Sequence, residues 1–393
     1  MKTICIAGKN NIAVDLLLHC MKFYPNCRLV CIANKNDCGI NNWQKSLKFF
    51  AKKNDVEILQ LQDVYTLSDL LFLSCEFDSI IKPEKFRSNE LYNIHFSLLP
   101  KYKGCHTSVL PILWGDFFTG VTLHKIRAGI DTGEIIDQQK VDILENDNSL
   151  DLYKKLIQSG TDIAIRNLDK LLRKKFDYFK QSQNGSTYYP RNFIDFSKLT
   201  LNVNRTAFQI KNQIRAFSFR PYQLISWNGI NYIDSKILKF VSTQRPGTIL
   251  EDTDVYTVIT SADYNILLFK DTLDQANELI KQGKDARTFL VSEKIINSQE
   301  CHGWSPLTIA VYNNNLFMAE WLIKNKADIN VVNNNGTTLL MYAKDCFKNT
   351  GDPSVFELLL NAGISTENKD FNGLNLKNYC DMEGIRKIGK YSF

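Results

Sequence analysis

Four short apolar runs, set between segments of helical period, constrain this chain more than any other feature. Lys2 to Ala7, Arg28 to Ala33, Leu70 to Ser74 and Leu91 to Phe96 are too short for helices and read as strands. Ile12 to Met21 and Trp43 to Lys53 repeat apolar residues at helical spacing. Alternation of this kind is built from strands joined by helical crossovers. The predicted fold class is therefore α/β, with a doubly wound, largely parallel sheet. The loop Gly8-Lys9-Asn10-Asn11 is not a GxGxxG fingerprint, so no dinucleotide is expected. It still sets Lys9 and Asn10 at a helix N-terminus, where they can hold a phosphate or simply cap the helix.

Further on, Leu150 to Phe176 is amphipathic, and its stripe of Leu152, Leu156, Ile163, Leu168, Leu171 and Leu172 is core. A polar stretch, Gln181 to Thr187, opens a second region, with a helix predicted over Ile210 to Phe217. Ile225 to Ile233 and Ile237 to Val241 predict a β-meander with turns at Asn228-Gly229 and Asp234-Ser235. Thr248 to Leu250 and Val255 to Ile259 continue the β character. At 393 residues the chain exceeds one ordinary core. The division expected is 1–180, 181–268 and 269–393.

Composition narrows the function classes. A hydrophobic fraction of 44% with 23% charged residues excludes a disordered chain. The ten cysteines show no CxxC pair and no zinc spacing, so reduced thiols and no metal are expected. Neither a signal peptide nor an apolar run of membrane-spanning length is present, and a soluble, cytoplasmic protein is expected. The net charge of +6 is uneven: residues 150–240 carry 16 Lys and Arg against 6 Asp and Glu, whereas 301–393 carry nine of each. An anionic partner such as phosphate is thus expected at the middle of the chain, unless those lysines only solvate a helix face.

Asn93 and His95 lie two residues apart on the Leu91 to Phe96 strand and so face the same side. An amide donor beside a titratable base suits a reaction that develops an oxyanion while losing a proton. Asp131 precedes Thr132-Gly133, where a tight turn can return its carboxylate to the imidazole. The same residues could equally form a structural hydrogen-bonding pair and a turn.

Asn93-x-His95-x-Ser97-Leu98-Leu99-Pro100-x-Tyr102-Lys103-Gly104 resembles the signature of the folate-dependent formyltransferase family. Gly120 to His124, continuing through Ile130-Asp131-Thr132-Gly133-Glu134-Ile135-Ile136, resembles that family's second signature. The resemblance implies a Rossmann-like catalytic domain that transfers a formyl group from 10-formyltetrahydrofolate to a primary amine. It also implies Asn93, His95 and Asp131 as the catalytic trio, with His124 as structural support. Folate is expected against Ser74, Phe77, Asp78 and Leu99. Tyr189-Pro190-Arg191 and Ile214 to Phe217 are similar to enzymes that formylate nucleotide-linked amino sugars. That likeness implies a dTDP-linked 3-amino or 4-amino dideoxyhexose as acceptor, for O-antigen or lipopolysaccharide synthesis. Lys9, Asn10, Arg191 and Tyr222 would be its binding residues, and a homodimer the expected assembly.

The last third changes texture. Gly303-Trp304-Ser305-Pro306-Leu307-Thr308-Ile309-Ala310 returns as Gly336-Thr337-Thr338-Leu339-Leu340-Met341-Tyr342-Ala343, 33 residues later. A third copy begins at Gly373. The period and the Pro306-Leu307/Ala310 pattern resemble ankyrin repeats, implying an α-helical domain behind a small β-rich one. The partner of this segment is not legible, although Trp304 could stack on a nucleotide base or on a protein side chain. Its neutral charge argues against transfer-RNA, and no nucleic-acid or membrane partner is expected. The alternatives are a methionyl-tRNA formyltransferase-like enzyme and a non-catalytic ankyrin interaction protein.

Overall fold

The computed structural model describes residues 1–220 and 222–392, which form two compact units. The first comprises Met1–Leu199 and Arg215–Phe217; the second comprises Thr200–Ile214 and Ser218–Phe393.

The first unit is built on a seven-stranded sheet of order β3-β2-β1-β4-β5-β7-β8. In chain order the elements are β1 (Thr3–Gly8), α1 (Asn10–Phe23), β2 (Arg28–Ala33), α2 (Leu47–Lys53), β3 (Glu57–Ile58), β4 (Leu70–Cys75) and β5 (Leu91–His95). Next come β6 (Lys103–Gly104), α3 (Leu110–Leu113), β7 (Phe118–Lys125), β8 (Ile135–Asp142), α4 (Ser149–Arg173) and β9 (Tyr188–Tyr189). β1 and β4 are buried at every position, which accounts for their unbroken apolar runs. The chain winds outward from β1 through β2 to β3, then returns to β4 on its other side. The loops leaving β1 and β4 therefore part at a switch point, where open α/β sheets place their ligands. Gly8 lets these two loops meet: a Cβ there would lie 1.9 Å from the Cys75 carbonyl oxygen.

One expectation for this unit needs correction. The helix predicted from Trp43 begins at Leu47, because the Ser46 side chain accepts from Phe49 N (3.0 Å) and caps it there. The sheet is largely parallel as expected, from β3 through β5, and ends in the antiparallel strands β7 and β8. The link from β5 to β7 carries no full crossover helix: only β6 and the four-residue α3 interrupt its loop, and β7 returns antiparallel to β5.

In the second unit, α5 (Ala207–Phe217, its last three residues grouped with the first unit) precedes a five-stranded antiparallel sheet of order β10-β11-β14-β13-β12. These strands are β10 (Ile225–Trp227), β11 (Ile230–Val241), β12 (Ile249–Asp252), β13 (Tyr256–Ile259) and β14 (Tyr264–Lys270). The turn predicted at Asp234-Ser235 does not form: β11 continues through it, with a register shift between Tyr232 and Asp234. α6 (Leu273–Lys281) and α7 (Glu293–Ile296) lead into the repeats, which are α8 (Pro306–Tyr312), α9 (Leu316–Lys324), α10 (Leu339–Thr350), α11 (Ser354–Asn361) and α12 (Leu376–Glu383). Capping boxes at Ser305, Thr338 and Asn375 start the first helix of each repeat. Ile233 of β11 shares one apolar cluster with Leu273, Leu307, Leu340 and Val355, so sheet and repeats bury a common core. No helix among the described residues is long and apolar enough to cross a membrane.

Candidate active site

Pairing in the first unit's sheet brings the candidate residues together. Parallel register sets Ser74 opposite Asn93, and antiparallel register sets His124 opposite Asn93 and Thr122 opposite His95. Asp131 reaches the cluster from the β7–β8 connection, with φ of 51° in the left-handed region. Thr132 Oγ1 donates to the Gly129 carbonyl (2.9 Å) and tightens that turn. Gly133 passes so near Lys125 that a Cβ would lie 1.7 Å from its carbonyl oxygen. Glycine is required there.

The carboxylate of Asp131 is the hub. Oδ2 accepts the Gly104 backbone N–H (2.8 Å) and lies 3.5 Å from His95 Nδ1; Oδ1 lies 3.4 Å from Asn93 Nδ2 and 3.6 Å from His124 Nε2. Burial works against its charge. The His95 field, the interaction with His124 and the Gly104 N–H outweigh it and hold the carboxyl well below the usual carboxylate range. Asp131 is thus a fixed anion at any neutral pH.

The hydrogen bonds also assign the imidazole protons. His95 Nε2 lies 2.8 Å from the Tyr102 carbonyl, which can only accept, so Nε2 carries hydrogen and Nδ1 faces Asp131. His124 Nδ1 lies 2.8 Å from the Lys125 carbonyl and so carries hydrogen, while its Nε2 faces both Asn93 Nδ2 (3.1 Å) and Asp131 Oδ1 (3.6 Å). Asn93 Nδ2 thus stands between His124 Nε2 and, at a longer 3.4 Å, Asp131 Oδ1, a contact loose enough to be shared with an incoming oxygen.

The three residues expected to form a trio do converge. His124, read from sequence as support, touches two of them directly. The Tyr102 carbonyl and the Gly104 N–H were missed, because backbone groups leave no residue-type signal. Of the folate candidates, Ser74 is buried beside Asn93, and Leu99 is buried with its N–H on Thr122 Oγ1 (3.1 Å). Phe77 packs its edge on Phe72, while Asp78 Oδ2 accepts Lys35 N (2.8 Å) and ties the β2 and β4 loops together.

Lys9 precedes α1 as its cap residue, and its N–H donates to the Cys75 carbonyl (3.2 Å). Asn10 is buried, donates to Glu76 (2.8 Å) and Tyr153 (2.7 Å), and accepts from Ile12 N (3.1 Å). Its amide is therefore committed to shaping the loop. Arg191 is exposed, with its carbonyl 2.9 Å from His106 Nε2. In the second unit, Tyr222 is exposed and stacks on Phe219 with ring centroids 5.5 Å apart. Trp304 is half-buried between Tyr312 (5.0 Å) and Tyr342 (4.9 Å), contacts that account for the ring without a ligand.

A formyl transferase family model matches residues 73–168, and a model for three ankyrin repeats matches 269–370. A methionyl-tRNA formyltransferase of Malacoplasma penetrans is 30% identical over 57% of this chain and 71% of its own length. Among solved structures, WlaRD, described as a sugar 3N-formyl transferase in the presence of dTDP and 5-N-formyl-THF, is 42% identical with a TM-score of 0.65. That match covers 69% of this chain and 98% of WlaRD. An N-formyltransferase from Helicobacter canadensis, solved with folinic acid and dTDP-3-aminofucose, is 41% identical with a TM-score of 0.64, covering 69% of this chain and all of its own.

Proposed function

The chain belongs to the formyl transferase family, and we propose that it moves a formyl group from 10-formyltetrahydrofolate to the primary amine of a dTDP-linked amino-dideoxyhexose. The single observation carrying this acceptor is similarity over nearly the whole of two sugar N-formyltransferases at 41–42% identity. Both of their descriptions specify position 3, which supports a 3-amino rather than a 4-amino sugar. Methionyl-tRNA formyltransferases match less of themselves and at lower identity, and the charge balance of residues 301–393 is zero, unlike an RNA-binding domain. An intact, mutually bonded trio weighs against a non-catalytic ankyrin protein.

The folate supplies the formyl carbon, held near Ser74, Phe77, Asp78 and Leu99. As the amine attacks, an N–H of Asn93 stabilises the negative charge growing on the formyl oxygen. His95 accepts the amine proton at Nδ1 and gives it to the folate nitrogen as the tetrahedral intermediate collapses, so that the bond between that nitrogen and the formyl carbon breaks and tetrahydrofolate leaves. The intervening imidazolium sits between the Asp131 carboxylate and the Tyr102 carbonyl, so the charge forms where both partners already stand. Lys9 and Arg191 of the first unit offer cations to the pyrophosphate. The same reading carries a role in surface-polysaccharide synthesis by a cytoplasmic homodimer. Light scattering of the purified protein tests the dimer, and a monomer at every concentration rejects it.

Assaying purified protein with 10-formyltetrahydrofolate against dTDP-3-amino and dTDP-4-amino dideoxyhexoses, UDP-amino sugars and initiator methionyl-tRNA tests the acceptor. Turnover of a dTDP-3-amino sugar is expected. Turnover of the tRNA alone contradicts the proposal.

A further inference from the structure

The connector after α4 has almost no regular structure, yet it touches the backbone beside each acid–base group of the site. Phe179 exchanges both main-chain hydrogen bonds with Ile135 (2.9 and 3.0 Å), which fixes the connector at the foot of the Asp131 turn. Gln181 Nε2 then donates to both ends of that turn, the carbonyls of Asp131 and Gly133, each at 2.8 Å. Two carbonyl acceptors settle which way the amide points. Its oxygen is left buried with no partner among the described residues, a cost an apolar side chain would not incur.

Thr187 does the equivalent for His95. Its Oγ1 accepts Tyr102 N (2.7 Å), and Tyr102 supplies the carbonyl that holds His95 Nε2. Tyr102 has φ of 60°, so this hydroxyl helps keep a left-handed residue in place. Around it β6 pairs with β9: Lys103 N donates to the Thr187 carbonyl and Cys105 N to the Tyr189 carbonyl, each at 2.9 Å. Alternation along a strand then turns the intervening Gly104 N–H the other way, onto Asp131 Oδ2.

We infer that residues 179–189 form a positioning strap that holds Asp131 and His95 at their working separation through Gln181 and Thr187, neither of which contacts the catalytic side chains through its own. The inference rests on the proposed formyl transfer only for its kinetic readout. Gln181→Met keeps the length and removes the donor; Thr187→Val removes the acceptor, and Thr187→Ser restores it.

In the full-length protein, Gln181→Met and Thr187→Val should each lower kcat by roughly 30-fold, with KM for both substrates within about twofold, as for a small displacement of reacting groups. Thr187→Ser should recover most of the loss. Amide hydrogen exchange at Tyr102 should quicken in Thr187→Val, and at Gly104 in both disabling variants, a measurement needing no acceptor. Unchanged kcat despite faster exchange overturns the inference, as does equal loss in Thr187→Ser. If the wild type transfers no formyl group, the functional reading fails separately, and unchanged exchange at Gly104 in both variants still rejects the strap.

Discussion

At the scale of single residues, the candidate site commits almost every polar atom, and the loosest contacts belong to the two groups proposed to act. Asn93 Nδ2 makes a long contact to Asp131 beside its bond to His124; His95 has one bonded nitrogen and one facing Asp131 at 3.5 Å. Asn93→Ala should therefore reduce kcat by about a hundredfold or more, the usual cost of one oxyanion donor. His95→Asn removes the proton acceptor and should be at least as severe. Undiminished transfer in steady-state assays of either variant would reject the assigned roles. Asp131 also carries a pH signature. Its folded-state pKa is depressed, so its contribution to stability is complete above the unfolded value of 3.8 and is lost as pH falls through the folded one. In urea melts, the stability advantage of wild type over Asp131→Asn should be constant from about pH 7 to pH 5 and shrink below about pH 4. An advantage that grows on acidification would contradict the assignment.

At the scale of elements, the decisive feature is the turn that returns Asp131 to the sheet. Gly133→Ala must push that turn away from Lys125. It should cost about 1–3 kcal/mol in stability and, through a shift of about 1 Å, roughly a hundredfold in kcat. Thermal melts and kinetics read the two effects separately. How far such elements were legible depended on where their cause lay. β1 and β4 were readable because strands buried at every position leave near-continuous apolar runs, and β2 through its buried centre Val30 to Ile32. The β7–β8 pair was visible only as a motif, since β8 is mostly half-exposed and polar. The false turn at Asp234-Ser235 came from two turn-forming residues that a bulge accommodates within β11. Asn93, His95 and Asp131 were legible through their motifs. The strap was not, because Gln181 and Thr187 lie in a polar stretch whose partners are main-chain groups.

At the scale of the whole molecule, the β-sheet and the repeats of the second unit share a core through Ile233, so they should not unfold independently. Leu340, fully buried in that core, should lose about 2–5 kcal/mol on mutation to alanine. Protease sensitivity should then rise in the β-sheet as well as in the repeats. Protection of the sheet in Leu340→Ala would show the two to be separable. Formyl transfer itself can be followed with a labelled formyl group. When the protein is incubated with 13C-formyl-tetrahydrofolate and a dTDP-3-amino-dideoxyhexose, a 13C amide is expected on the nitrogen at sugar carbon 3, absent with His95→Asn. Label that remains on folate or is released as formate, or that appears only on methionyl-tRNA supplied in the same mixture, would contradict it.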